Sequence, residues 1–157
     1  MATMVSRLLD MADWLISEKP RSSAFRRRAV STAYYAVFHA VAKVCADNLL
    51  EPVERTSEEY ERVYRALEHG TLKKAFEQRK SPLSERESLR KVGELIVPLR
   101  SERFKADYFP PIQNVFSHER AEELVAQARR AVAEIDALND EDRRTLATWL
   151  LFKSPPQ

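Results

Sequence analysis

Two groups of polar residues in this 157-residue chain have types and spacings that could do chemistry. The first is Arg28, Thr32, Tyr35, His39 and Lys43, at steps of 4, 3, 4 and 4, which fall on one stripe of a helix. The second is Arg100, Arg103, Asp107 and Tyr108, also at helical spacing. Guanidinium groups hold phosphate, aromatic rings stack on bases, and an imidazole moves protons near neutral pH. If the two helices pack side by side, the clusters share a groove suited to a phosphodiester. His39 and Arg103 are then the catalytic candidates. Arg28, Tyr35, Lys43, Arg100, Asp107 and Tyr108 are the candidate RNA or nucleotide contacts. The competing reading is a buried polar network that fixes helix register, since polar groups inside a bundle must be paired. Asp107 stands four residues after Arg103 and is placed to pair with it.

Other chemistries find little support. His39, His69 and His118 stand on separate segments without zinc-type spacing, so no metal site is expected. There is no Gly-rich phosphate loop and no nucleophile–base pattern, and no cofactor is expected. The single Cys45 lies in an apolar segment and reads as a buried structural thiol. It fits a reducing cytoplasm. With 26 basic and 24 acidic residues, net charge is only +2, so any nucleic-acid affinity must come from local clustering. No apolar run is read as long enough to span a membrane, and no signal peptide is recognised.

The elements that must position these residues are helical. Two glycines and few turn clusters argue against a β fold, and the rich supply of Ala, Leu, Glu and Arg argues for an all-α one. The periodicity predicts an up-and-down bundle of four main helices plus one or two short ones. Residues 1–153 are expected to form one domain and residues 154–157 a flexible tail. Val5, Leu8, Leu9, Ala12, Leu15 and Ile16 mark a first helix ending before Pro20, with Trp14 off that stripe. A second, capped by Ser22 or Ser23, runs to about Asn48 and is apolar on most sides, so it belongs at the centre. Arg26, Arg27 and Arg28 crowd its first turns against the helix dipole and should meet carboxylates or an anion. After a linker containing Pro52, Thr56 and Glu59 form a capping-box pattern, and Gly70 reads as a helix stop. A fourth helix ends at Tyr108 and is expected to kink at Pro98. Ser117 caps a fifth, and Asn139 and Asp140 break and restart the chain before a short last helix.

The stretch RRAVSTAYYAVFHAV (Arg27 to Val41), followed by HGTLKKAF from His69 and RFKADY from Arg103, resembles the HEPN domain. The nearest likeness is to small bacterial members with an AYYAxFH helix and an RxxADY element, and it covers roughly residues 5 to 140. The resemblance implies a helical bundle, often a homodimer. It implies a toxin–antitoxin or defence setting, with RNA as ligand and a minimal nucleotidyltransferase antitoxin as partner. Many members are metal-independent ribonucleases built on an Arg followed, after a short spacing, by His. Here Arg100 or Arg103 matches the Arg, but Asp107 and Tyr108 occupy the place of the His. An Arg62-to-His69 match lies on the wrong segment. The resemblance therefore implies the fold more strongly than the nuclease. A non-catalytic interaction or dimerisation module with a structural polar core is the alternative.

Overall fold

A computed structural model describes residues 2–50, 54–111 and 115–156. The fold is an all-α helical bundle. Its helices are α1 (Met4–Glu18), α2 (Ser23–Leu50), α3 (Glu58–Tyr64), α4 (His69–Glu77), α5 (Pro82–Glu85), α6 (Glu87–Tyr108), α7 (His118–Asp136) and α8 (Asp140–Leu151). The chain divides into two compact units, one of Met1–His39 with Leu95–Ala133, the other of Ala40–Glu94 with Glu134–Gln157. The long helices α2, α6 and α7 each contribute to both.

In the first unit, α1 begins at a Thr3 capping box and buries Leu9, Ala12, Leu15 and Ile16. Trp14 lies 55% exposed, off the buried stripe as its spacing predicts. On α2, Ala29, Val30, Ala33, Tyr34, Ala36 and Val37 are fully buried. Small residues at one helix face let a neighbouring helix approach closely. Ser22 caps α2 through its side-chain oxygen, which accepts from Phe25 N–H.

The arginine cluster differs from expectation. Arg26 is 7% exposed, and its Nε and Nη1 donate to the carbonyls of Phe116 and Pro20 at 2.8 and 2.9 Å. Arg27 donates to the carbonyls of Phe109 and Pro110. Backbone oxygens, not carboxylates, satisfy both. The reason is local: Pro20, Pro110 and their neighbours lie outside helices, so their carbonyls lack helical donors and an arginine fork supplies them. Pro98 does not interrupt α6. Gln127 of α7 donates to the Leu95 carbonyl at 2.8 Å, beside the carbonyl that the proline leaves without its usual donor. Arg129 ties α7 to α1 through Asp10 at 3.1 Å and through Asp13.

In the second unit, Ser57 rather than Thr56 caps α3, one residue later than the capping-box reading, and Glu58, Glu59 and Glu61 complement the helix dipole. Gly70 is no helix stop. It lies in the first turn of α4 with an ordinary φ. Asn139 caps α8. The linker expected around Pro52 falls outside the described residues, and so does the final residue of the tail. Gly93 is required by packing, because a Cβ there would come within 2.6 Å of the Phe76 ring.

The reading that no apolar run reaches membrane length needs correction. By length and composition α2 could cross a bilayer, with a mean hydropathy of 1.2 in its most apolar window. Of that window, 72% is buried within the protein, as in the core helix of a globular domain.

Asp47 organises the second unit's polar surface. Its carboxylate accepts from Arg55 at 2.9 and 3.0 Å, from Lys43 at 3.1 Å and from the Tyr60 hydroxyl at 2.8 Å. Burial pushes its carboxyl up, but these hydrogen bonds outweigh burial and hold it below its ordinary value. A carboxylate lowered on folding stabilises the fold above its unfolded pKa, about 3.9, and that stability is lost as pH falls through the folded value. Asp47→Asn should therefore lower stability at pH 7 by about 1 kcal/mol. It should also flatten the loss of stability below about pH 4, read by urea unfolding at a series of pH values.

Candidate nucleic-acid site

The site builds around Arg103, on the part of α6 that belongs to the first unit. The core-facing run Leu89, Val92, Ile96 and Leu99 brings position 103 inward by helical spacing, and Arg103 is 6% exposed. A desolvated guanidinium must find compensation. Its central carbon lies 5.2 Å from the Tyr34 ring centre and 5.8 Å from that of Tyr35. These are cation–π distances. Nη1 stands 3.7 Å from Oδ2 of Asp107, the pairing that the four-residue spacing predicts. A hydrogen bond links Arg103 to the Tyr34 side chain. Burial pushes the Tyr34 phenol up to about 12, although Arg103 and Arg100 pull it down, so it is neutral at physiological pH. The Nε atoms of Arg100 and Arg103 are buried without a hydrogen-bond partner among the described residues.

In front of this network lies an open groove of about 390 Å³, lined by Ala24, Arg27, Arg28, Ser31, Tyr35, Ala106, Asp107 and Tyr108. The α2 residues recur at three- and four-residue steps, so one helix face forms one wall. The last turn of α6 forms the other. Among the described residues Arg28 has neither an ion pair nor a side-chain hydrogen bond, and it is exposed. Ser31 is 1% exposed, and its hydroxyl is buried without a hydrogen-bond partner among the described residues. Tyr108 is 66% exposed, and its ring packs at a tilt against that of Phe104, with centres 5.1 Å apart.

Four of the predicted contacts, Arg28, Tyr35, Asp107 and Tyr108, thus meet in one groove. Arg103 stands behind it against Tyr34 and Tyr35, and Arg100 lies near Tyr34. Neither arginine is among the lining residues. His39, one helical turn beyond Tyr35, packs edge-on against Phe38 at 6.3 Å. Burial lowers its pKa and favours the neutral imidazole. Lys43 belongs to the second unit's Asp47 cluster. Ser31 and Phe104 were missed by the sequence reading. Ser31's only signal was its place on the Ala24–Arg28–Tyr35 face; Phe104's was its four-residue step to Tyr108.

Among the described residues no three His, Cys, Asp or Glu side chains gather as a metal site. Burial pushes the Cys45 thiol up to about 12, leaving it uncharged and a poor nucleophile. The second unit carries a separate open groove of about 760 Å³ beside Lys74, Trp149 and Phe152 that includes none of the predicted site residues.

Removing one member of a buried charge pair leaves the other unsatisfied. Arg103→Ala should lower unfolding free energy by about 3 kcal/mol, and Asp107→Asn, on the less buried side, by about 1 kcal/mol. Chemical denaturation of the two variants checks the ratio.

No protein-family model, no curated protein and no solved structure matches the chain.

Proposed function

We propose that this is a HEPN-like protein of a toxin–antitoxin or defence type that binds RNA or a nucleotide in the groove between α2 and α6, acting in the cytoplasm. One observation carries the reading: Arg28, a cation with no partner among the described residues, and the exposed ring of Tyr108 line the same groove as the Asp107 carboxylate. A phosphate suits Arg28, a base suits the face of Tyr108, and a ribose hydroxyl or base amino group suits Asp107 as acceptor. The AYYAxFH and RxxADY elements that resemble the HEPN domain contribute Tyr35, Asp107 and Tyr108 to that groove.

The proposal is binding rather than cleavage. Arg103 is already engaged by Asp107 and two tyrosines, and no histidine stands among the lining residues. The same engagement of Arg103 favours the second reading, a non-catalytic interaction module whose polar core is structural.

Titration of a fluorescent single-stranded RNA across a salt series separates the two. Each phosphate contact contributes about 0.7 to the slope of log affinity against log salt for single strands. Arg28→Ala should reduce the slope by about that amount. Tyr108→Ala should weaken binding by about 1–3 kcal/mol, the usual value of one stacked base. Both side chains are exposed, so unfolding curves should stay close to those of the parent. RNA binding that neither substitution alters would remove this groove from consideration.

A further inference from the structure

The α6 wall of the groove holds an acceptor that the fold leaves largely unused. The Asp107 side chain is 21% exposed, and its contact with Arg103 is 3.7 Å long. That distance makes an ion pair but is too long for a hydrogen bond. No other donor among the described residues reaches the Asp107 carboxylate, so both of its oxygens keep acceptor capacity. The α2 wall has the opposite polarity. Arg28 is exposed and has no partner among the described residues, and the Ser31 hydroxyl is buried there without a hydrogen-bond partner. Both side chains are donors. The Tyr108 ring, 66% exposed, follows Asp107 on the same helical turn. The groove's volume, about 390 Å³, is at the small end of ligand sites and suits one nucleotide rather than a run of bases.

We propose that the base this groove selects is guanine, on a mononucleotide or on a guanosine of single-stranded RNA. The inference rests on the reading of the groove as a nucleotide site and adds which base it takes. A carboxylate offers two acceptors side by side and no donor. Among the four RNA bases only guanine presents two adjacent donors on its Watson–Crick edge, N1–H and the 2-amino group. Adenine and cytosine each present one amino group with a ring-nitrogen acceptor beside it, and that lone pair faces the carboxylate's second oxygen. Uracil presents one N–H flanked by two carbonyls, which a carboxylate repels. Unstacked bases are read in this way, by hydrogen bonds to the Watson–Crick edge and by stacking on an aromatic ring, for which Tyr108 is placed. Guanine's remaining edge group, O6, is an acceptor, and so is the phosphate, while the α2 wall carries the donors Ser31 and Arg28. The pairing with Arg103 serves the same end, because it holds the Asp107 carboxylate without using its lone pairs.

Calorimetric titration of the full chain with GMP, inosine monophosphate, AMP and UMP tests the selection. GMP should bind about tenfold more tightly than inosine monophosphate, which lacks only the 2-amino donor, and than AMP or UMP. A uridine oligomer carrying one guanosine, compared with the same oligomer carrying inosine, separates the two sources. A preference in the oligomers but not in the free nucleotides assigns the base to RNA; a preference in both admits the mononucleotide. Asp107→Asn should reverse the selection. Its amide keeps one acceptor for N1–H but replaces the other with a donor, which suits the 2-oxo group of xanthine. GMP affinity should fall about tenfold and xanthosine monophosphate should become the better ligand. A purely structural role for Asp107 would weaken all nucleotides alike. Binding without a guanine preference would overturn the inference, and the groove reading would still stand if Arg28→Ala weakened that binding. A guanine preference unchanged in Asp107→Asn would overturn it as well. If neither nucleotides nor oligomers bind, the inference and the groove reading fail together.

Discussion

The buried charge of Arg103 is the constraint on which the candidate site depends. A guanidinium that retains almost no solvent contact needs an anion, hydrogen-bond acceptors or aromatic faces where it stands. The first unit provides Asp107 on the same helix and the rings of Tyr34 and Tyr35 on α2. These contacts fix the last turns of α6 against the first half of α2. They also set the distance between Tyr35 and Asp107, which line the groove. The groove is thus a consequence of how a core charge is satisfied.

The same economy governs the N-terminal end of α2. Arg26 and Arg27 reach non-helical carbonyls around Pro20, Phe109, Pro110 and Phe116. Proline-containing connections expose acceptors that no helix can use, and arginine, with five donors in a rigid fork, is well suited to them. Two of three adjacent arginines are thereby consumed by the fold, and Arg28 is the one of the three without a hydrogen-bond or ion-pair partner among the described residues. A triplet that reads as a basic patch becomes two structural clamps and one available cation. Net charge could not reveal this division, because it counts all three alike.

The two halves of α2 serve different ends. In the first unit the helix presents Arg28, Ser31 and Tyr35 to the groove. In the second unit Lys43 is spent on Asp47, which also holds Arg55 and Tyr60. The polar stripe from Arg28 to Lys43 is continuous along the helix, but its residues have different partners. Periodicity places residues on a face; it does not say which neighbour that face meets at each turn.

The sequence by itself determined the all-α fold, the apolar character of α2, the cap at Ser117, the chain break at Asn139 and the Arg103–Asp107 pair, and it left the cap of α2 open between Ser22 and Ser23. Each of these is a local property, set by helical spacing, by dipole and capping chemistry or by the apolar count of one segment. The tertiary structure decided which tyrosines receive Arg103, that carbonyls rather than carboxylates satisfy Arg26 and Arg27, that Gly70 begins a helix turn, and that Ser31 is buried beside the groove. Those outcomes depend on side chains and carbonyls distant in sequence, and local pattern carries no information about them. Arg26 and Phe116, ninety residues apart, illustrate the point: each residue type is legible alone, while the bond between them exists only once the chain has brought the start of α2 and the segment before α7 together.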